Sequence, residues 1–395
     1  MNNKYKITMI SCFIGYIVQA IINNFVPLLF LTFQKSYGIS LSKITLLITV
    51  NFIVQLAVDL FATLFVDKIG YRISIIGAHI FGALGLILLT VLPKIMEPYT
   101  GILISVVLYA IGGGLIEVLI SPIMESCPTD NKEKAMSLLH SFYCWGHVGV
   151  ILISTIFFQV WGIEHWRMLA VLWAIIPLVN GCIFVKAPMV SLISEDEQGM
   201  SLKELFGNKL FWLILAMMVC AGASEQSMSQ WASLFAEKAL GISKTLGDLA
   251  GPMAFAIFMG SARAIYGKYG DKIDLGKFMA GSGALCVVCY LAIVCIPSPM
   301  ISLVACAICG FSVGIMWPGT FSSATGILKN GGTAMFAIMA LAGDLGCAGG
   351  PTLVGMVSNA LGNNMKLGIM VAIIFPVMFL VGLIRCSKSK KKLLD

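Results

Sequence analysis

Charge is what this sequence has least of. Asp, Glu, Lys and Arg make up 11% of its 395 residues, where a soluble protein carries about a quarter. Hydrophobic residues account for 58%, and the mean hydropathy is +0.94. A chain with so little polar surface cannot cover a core in water, which excludes a soluble globular protein. The apolar runs are about 20 residues or longer, so the spans are helices and not barrel strands. The expected class is an all-α integral membrane protein, multi-pass, in the cell (plasma) membrane. Polar segments are also scarce. The central stretch from Ser191 to Lys209 and the tail SKSKKKLLD are too short for the cytoplasmic region that a sensor needs.

Chemical motifs are missing too. The H-E-x-x-H pattern is absent, and the glycine runs GCAGGP (346–351) and GALG (82–85) lack the Lys-Ser/Thr of a phosphate loop. Small residues in membrane helices instead permit close packing. Twelve cysteines do not imply disulfides, because most lie within spans. Cys286-Val-Val-Cys289 and Cys306-Ala-Ile-Cys309 match a zinc-ribbon spacing. Both pairs, however, sit in apolar helices on either side of Pro297-Ser-Pro299, and they read as packing thiols. Neither an enzyme, a cofactor nor a metal is expected.

What is present is a regular alternation. The run from Lys6 to Phe33 is too long for a signal peptide and lacks a small-residue cleavage site, so it reads as the first permanent span. Hydropathy predicts helices 1 to 6 at about 7–32, 42–66, 73–93, 101–125, 134–160 and 167–187. Helices 7 to 12 follow at about 210–237, 247–268, 276–296, 300–327, 332–359 and 364–386. The predicted domains are an N-terminal six-helix half (1–190), a cytoplasmic loop (191–209) and a C-terminal half with a basic tail (210–395).

Lys and Arg orient the chain. With both termini inside, eighteen of the 26 fall on the cytoplasmic side and seven outside, while Arg263 lies within a span. The net charge of +7 therefore reports topology and gives no reason to expect nucleic acid. The halves also echo each other. VDKIGYR (66–72) follows helix 2 and GDKIDLGK (270–277) follows helix 8, with the DKI triplets 204 residues apart. Gly114 and Pro122 of helix 4 match Gly310 and Pro318 of helix 10. Ala135-Met136 with Gly146 and Gly149 matches Ala334-Met335 with Gly346 and Gly349. A duplicated six-helix unit of this kind is mostly a transporter, with its site near the midplane.

The link LFVDKIGYR resembles the G-x-x-x-D-R/K-x-G-R-R/K signature of the major facilitator superfamily. Asp67, Lys68, Gly70 and Arg72 match, and Thr63 stands in place of the leading glycine. In that family the loop acts as a conformational latch; as a plain sequence feature it is a positive-inside loop. Within the superfamily the chain is similar to the fucose–proton symporter family of sugar permeases. The motifs that carry this are IINNFVPLLF, GGGLIEVLISP, LLHSFYCWGHVG, ASEQSMSQWASLF and WPGTFSSATGIL, in that order. Two positions depart. Asn23 stands where fucose permease has an aspartate, and Ser121 where it has an asparagine before the helix 4 proline.

Ionisable residues inside a membrane are functional candidates by default, because each costs about 2.5–3.5 kcal/mol or more at a helix centre. Glu117 stands in helix 4, one of the cavity-lining helices the resemblance implies, and a carboxyl there can be neutralised by taking up a proton. The alternative is a permanently protonated acid bonded to a carbonyl. Helix 7 carries Glu225, Gln226, Ser229, Gln230 and Trp231; amides and carboxylates bind sugar hydroxyls, and an indole stacks on a pyranose. Interhelical bonding is the plainer reading. Helix 5 places His140, Tyr143 and His147 on one face, for substrate or helix 8, or as structural histidines. Gln19, Asn23 and Asn24 on helix 1, the stripe Asn51, Gln55 and Asp59 on helix 2, and Trp317 on helix 10 complete the polar set. Asp59 either relays protons or braces the Asp67 latch. Arg263 snorkels, pairs with Asp344 of helix 11, or pairs with one of the glutamates.

The expected activity is secondary active transport of a small hydrophilic solute, a sugar or polyol, coupled to protons through Glu117 and Glu225, with sodium as the other ion. An exporter of amphipathic compounds is the alternative of the same class; a GxxxGP motif is absent from helix 5. A non-transporting sugar sensor is the alternative of another class. A monomer in contact with membrane lipid is expected, the basic tail touching anionic headgroups.

Overall fold

The computed structural model describes residues 5–128, 132–189, 200, 202–328 and 332–394. The side chains of 63–65, 67, 68, 125, 132–137, 202, 267, 271, 325, 326, 333, 334, 336, 337 and 388–394 lie outside that description. Twelve helices are long and apolar enough to span a membrane. Helices 1 to 6 are Lys6–Tyr37, Leu41–Ala62, Tyr71–Ile95, Pro98–Met124, Leu138–Trp161 and Ile163–Lys186. Helices 7 to 12 are Lys209–Lys238, Lys244–Tyr266, Leu275–Cys295, Pro299–Ala324, Ile338–Ala360 and Met365–Ser387. The chain divides into two compact units, Met1–Ile193 and Ser194–Asp395.

Each boundary has a local cause. Ser40 and Ser298 cap helices 2 and 10 by accepting the amides of Lys43 and Ile301, and Asp274 caps helix 9 through Lys277. Pro98 and Pro299 occupy first-turn positions, where a missing N–H costs nothing. Helix 1 ends at Gly38, in the left-handed region at φ +64°. Within it Pro27 is absorbed in a 3-10 turn, Val26–Leu29, after which the helix resumes and outruns the predicted end at residue 32. Helix 8 carries a π-helical turn at Leu249–Met253 around Pro252. Within the stretch read as a polar loop, Leu202–Gly207 forms a short helix.

In the first unit, helix 4 packs against helices 1, 2 and 3, and helix 1 also against 5 and 6. The run Gly112-Gly113-Gly114 makes this possible. A Cβ on Gly112 would stand 2.5 Å from the backbone nitrogen of Gly82 on helix 3. One on Gly113 would be 3.1 Å from Gln19 Oε1, and one on Gly114 would be 3.0 Å from the Gln55 backbone. In the second unit helix 7 packs against 11 and 12, and helix 10 against 8 and 9. Large apolar side chains such as Ile53, Leu60, Ile156, Val160 and Val288 are exposed, as lipid-facing residues are.

Candidate functional site

Within the first unit, the polar residues of helices 1, 2 and 4 form one connected network. The Gln19 side-chain amide donates from Nε2 to Gln55 Oε1 and to Glu117 Oε2, both at 3.0 Å. Gln55 in turn donates to Asn23 Oδ1 at 2.8 Å, and Asn51 reaches the same oxygen at 3.4 Å. The i, i+4 spacings explain the assembly. Gln19 and Asn23 share one face of helix 1, and Asn51, Gln55 and Asp59 share one face of helix 2. Three glycines let helix 4 carry Glu117 up to both. Carboxylate oxygens of Asp59 and Glu117 lie within 4.8 Å of each other. Two ionised carboxylates at that separation repel by on the order of 3–4 kcal/mol at an effective dielectric near 20. Two amide acceptors in the network, Gln19 Oε1 and Asn51 Oδ1, are buried and have no hydrogen-bond partner.

Asn24 turns elsewhere, bonding the Ala20 carbonyl at 2.9 Å and approaching the Tyr143 hydroxyl at 3.5 Å. Tyr143 and His147 are ring neighbours at 6.4 Å, and His140 lies 5.3 Å from the ring of Tyr16. His147 is buried while His140 is exposed. The helix 5 trio therefore meets helix 1 at two levels, and Tyr16 continues to Ser121 of helix 4 at 2.9 Å.

Within the second unit the acid has a different companion. Arg263 of helix 8 reaches Glu225 of helix 7 at 3.5 Å, and its Nε donates to the Gly314 carbonyl of helix 10 at 3.2 Å. Gly314 ends a helical segment, so its carbonyl is open to an outside donor. Gln226 donates to Glu225 Oε1 at 3.2 Å, and Gln230 to Gln226 Oε1 at 3.1 Å. Of the roles expected for Arg263 (snorkelling, or pairing with Asp344 or a glutamate), the described residues include a pairing with Glu225. Asp344 is buried on helix 11, one residue after Gly343, against which the Trp317 indole lies. Trp231 is fully buried, donating from Nε1 to the Pro351 carbonyl at 2.9 Å, which occupies its one polar atom.

Of the loop after helix 2, the Asp67 and Lys68 side chains lie outside the described residues. Gly70 adopts φ +92°, and Arg72 donates to the carbonyls of Phe184, Val185 and Ala187 at 2.7–2.8 Å. Arg72 thus closes the last turn of helix 6. Three groups escaped the sequence reading. His79 and Asn180 are buried and meet at 2.8 Å, with Asn180 donating to the Ser11 carbonyl. Asp248 is buried with Ser233 at 2.5 Å and Lys244 at 2.9 Å. Only the Lys244/Asp248 spacing of four signals such a contact in the sequence. The Cys286 and Cys309 sulfurs approach to 4.0 Å, so these thiols pack helices 9 and 10 together.

The model of the Major Facilitator Superfamily matches residues 8–351. A curated relative, "Membrane protein MosC" of Rhizobium meliloti, is 24% identical over 327 residues, covering 79% of this chain and 76% of that protein. Solved structures match over nearly the full length. One is the E. coli fucose:proton symporter FucP, with a TM-score of 0.68, 16% identity and coverage of 97% of this chain and 99% of that one. Another is a bacterial homologue of the human lysosomal transporter Spinster, inward-facing and unoccupied, with a TM-score of 0.79, 13% identity and 99% and 98% covered. A third is a D-xylose-proton symporter, with a TM-score of 0.76, 14% identity and 97% of each chain covered. At these identities the likeness is one of fold.

Proposed function

Because the chain belongs to the Major Facilitator Superfamily and is a multi-pass membrane transporter, we propose that it moves a sugar or polyol by alternating access, together with a proton carried on Glu117. One observation carries this reading. Glu117 sits in an apolar helix with its carboxylate held by an amide, beside a chain of further amides from helices 1 and 2. Amide groups exchange hydrogen bonds readily with hydroxyls, and the buried Gln19 oxygen still lacks a donor. In the second unit, Gln226 and Gln230 offer groups of the same kind. Two of the similar structures are a fucose:proton symporter and a D-xylose-proton symporter.

The proposed cycle follows from charge. An ionised carboxylate is costly to move through a closed, dehydrated state. A proton taken from the outer solution onto Glu117, with sugar bound, removes that cost and favours closure. Opening inward restores water, and the proton leaves to the cytoplasm with the sugar. Glu225 is charge-balanced by Arg263, so in this reading it orients substrate and does not carry the proton. The test uses purified protein in liposomes, after a thermal-shift screen of monosaccharides and polyols. Glu117→Gln is expected to keep counterflow of the selected sugar and lose accumulation driven by a pH gradient. Accumulation that persists in E117Q contradicts the coupling role.

A further inference from the structure

A cleft of about 360 Å³ lies in the first unit between the end of helix 3 and the start of helix 6. It shares no residue with the polar network of helices 1, 2 and 4. Its walls are Val91, Ile95, Met168 and Val171, together with the side chains of Lys94 and Arg167. The four apolar side chains are exposed, as they are on a surface that faces lipid. The two cations stand close to the ends of their spans, at the depth of the headgroups. The Thr90 hydroxyl also borders the cleft, but it donates to the Ile87 carbonyl at 2.7 Å. The charged donors of the cleft are therefore Lys94 and Arg167.

Among the described residues neither Lys94 nor Arg167 forms an ion pair. The acids nearest them in sequence are engaged elsewhere. Glu97 accepts from the Thr100 amide and hydroxyl, and Glu164 lies 3.7 Å from His165. Arg167 is nonetheless held in place. One terminal nitrogen donates to the Tyr37 hydroxyl at the end of helix 1, and the guanidinium carbon lies 4.8 Å from the Trp166 ring centre. Its Nε is buried and has no hydrogen-bond partner. Snorkelling to water accounts for an exposed cation such as Lys94. It does not account for the buried Nε. A fixed guanidinium with a buried free donor is costly unless an acceptor completes it.

We propose that this cleft binds one anionic phospholipid, with its phosphate on Arg167 and Lys94 and an acyl chain along Val91, Ile95, Met168 and Val171. A guanidinium can bond two phosphate oxygens at once, and the lysine adds a mobile point charge. Two unpaired cations select an anionic head. The exposed aliphatic walls select a lipid over a free anion. With the orientation expected from the lysine and arginine count, the lipid belongs to the outer leaflet. The site does not depend on which solute the protein carries.

The test titrates phosphatidylglycerol into the purified, delipidated full chain in a neutral detergent and counts bound lipids by native mass spectrometry. The first lipid is expected to bind more tightly than phosphatidylcholine. Lys94→Gln and Arg167→Gln are each expected to weaken it about fivefold, and K94Q/R167Q about thirtyfold. Lys35→Gln removes an exposed cation outside the cleft and is the matched control, expected to change nothing. An equal loss in K35Q would show a diffuse surface charge and overturn the proposal. Equal binding of phosphatidylcholine would overturn it too. So would displacement of the lipid by millimolar inorganic phosphate, since the cleft is then a free-anion site. Should R167Q fail to fold, Arg167→Lys keeps the charge and is expected to retain selectivity for phosphatidylglycerol. Loss of selectivity in a folded R167K, with K94Q unchanged from the wild type, would contradict the proposal.

Discussion

Glu117 in the first unit and Glu225 in the second are both glutamates in apolar helices, and each is contacted by a glutamine amide. They differ in what else stands beside them. Arg263 reaches Glu225 at 3.5 Å, while Glu117 has the carboxylate of Asp59 within 4.8 Å. A buried ion pair is electrically complete and has no need of a proton. A like-charged neighbour makes the ionised form of an acid costlier. The difference teaches that an intramembrane acid cannot be assigned a role from its own position. The charges on the neighbouring helices enter as well.

The comparison can be broken most severely at Arg263. Removing one member of a buried pair leaves its partner uncompensated, at a cost of about 3–5 kcal/mol. Arg263→Gln is therefore expected to show the largest fall in melting temperature, and E225Q/R263Q to recover most of it. If R263Q melts like the wild type, the pair does not hold the second unit's charge. A smaller effect is expected where helix 4 meets helix 2. Gly114→Ala puts a Cβ 2.9 Å from Val58 Cβ and 3.0 Å from the Gln55 backbone, an overpacking of about 1–3 kcal/mol. Gly149→Ala, with nothing within 4 Å, is the matched control and is expected to be silent. Equal melting of G114A and G149A would argue against the close approach that brings Glu117 to the amides.

The smallest effect belongs to an acid outside the membrane, where neither kind of balance is required. Glu97 caps helix 4, and the Thr100 hydroxyl and amide hold its carboxyl below the usual carboxylate range. A lowered value means that its contribution is present above the ordinary carboxylate pKa and fades as the pH falls through the folded one. Glu97→Gln should therefore lower the melting temperature slightly at neutral pH. The gap to the wild type should close in acid, and a gap that widens there would show the sign to be wrong.

Much of this was readable in the sequence because the membrane imposes length and composition. Twelve apolar runs separated by short polar links specify twelve helices, and the family signature around Gly70 and Arg72 is local. The candidate polar residues were also legible, since Gln19, Asn23, Gln55 and Glu117 are costly in apolar helices and stand out one at a time. Which of them meet was not legible. Asp59 and Glu117 are far apart in the chain, and their meeting depends on helix 2 packing against helix 4 through Gly114. The partner of Arg263 was open for the same reason. The His79–Asn180 contact joins residues 101 positions apart, and neither side chain signals the other. The last turn of helix 1, to Tyr37, was not legible because Gln34, Lys35 and Ser36 lie beyond the apolar run.

The central claim is that the first unit carries the proton and the second carries a fixed charge pair. It is tested most directly by accumulation of the counterflow-selected sugar in liposomes under an imposed pH gradient, compared between E117Q and E225Q/R263Q. The account predicts that E117Q equilibrates the sugar without accumulating it, while E225Q/R263Q still accumulates it whenever it binds. Accumulation by E117Q, with its loss in a sugar-binding E225Q/R263Q, would contradict the account.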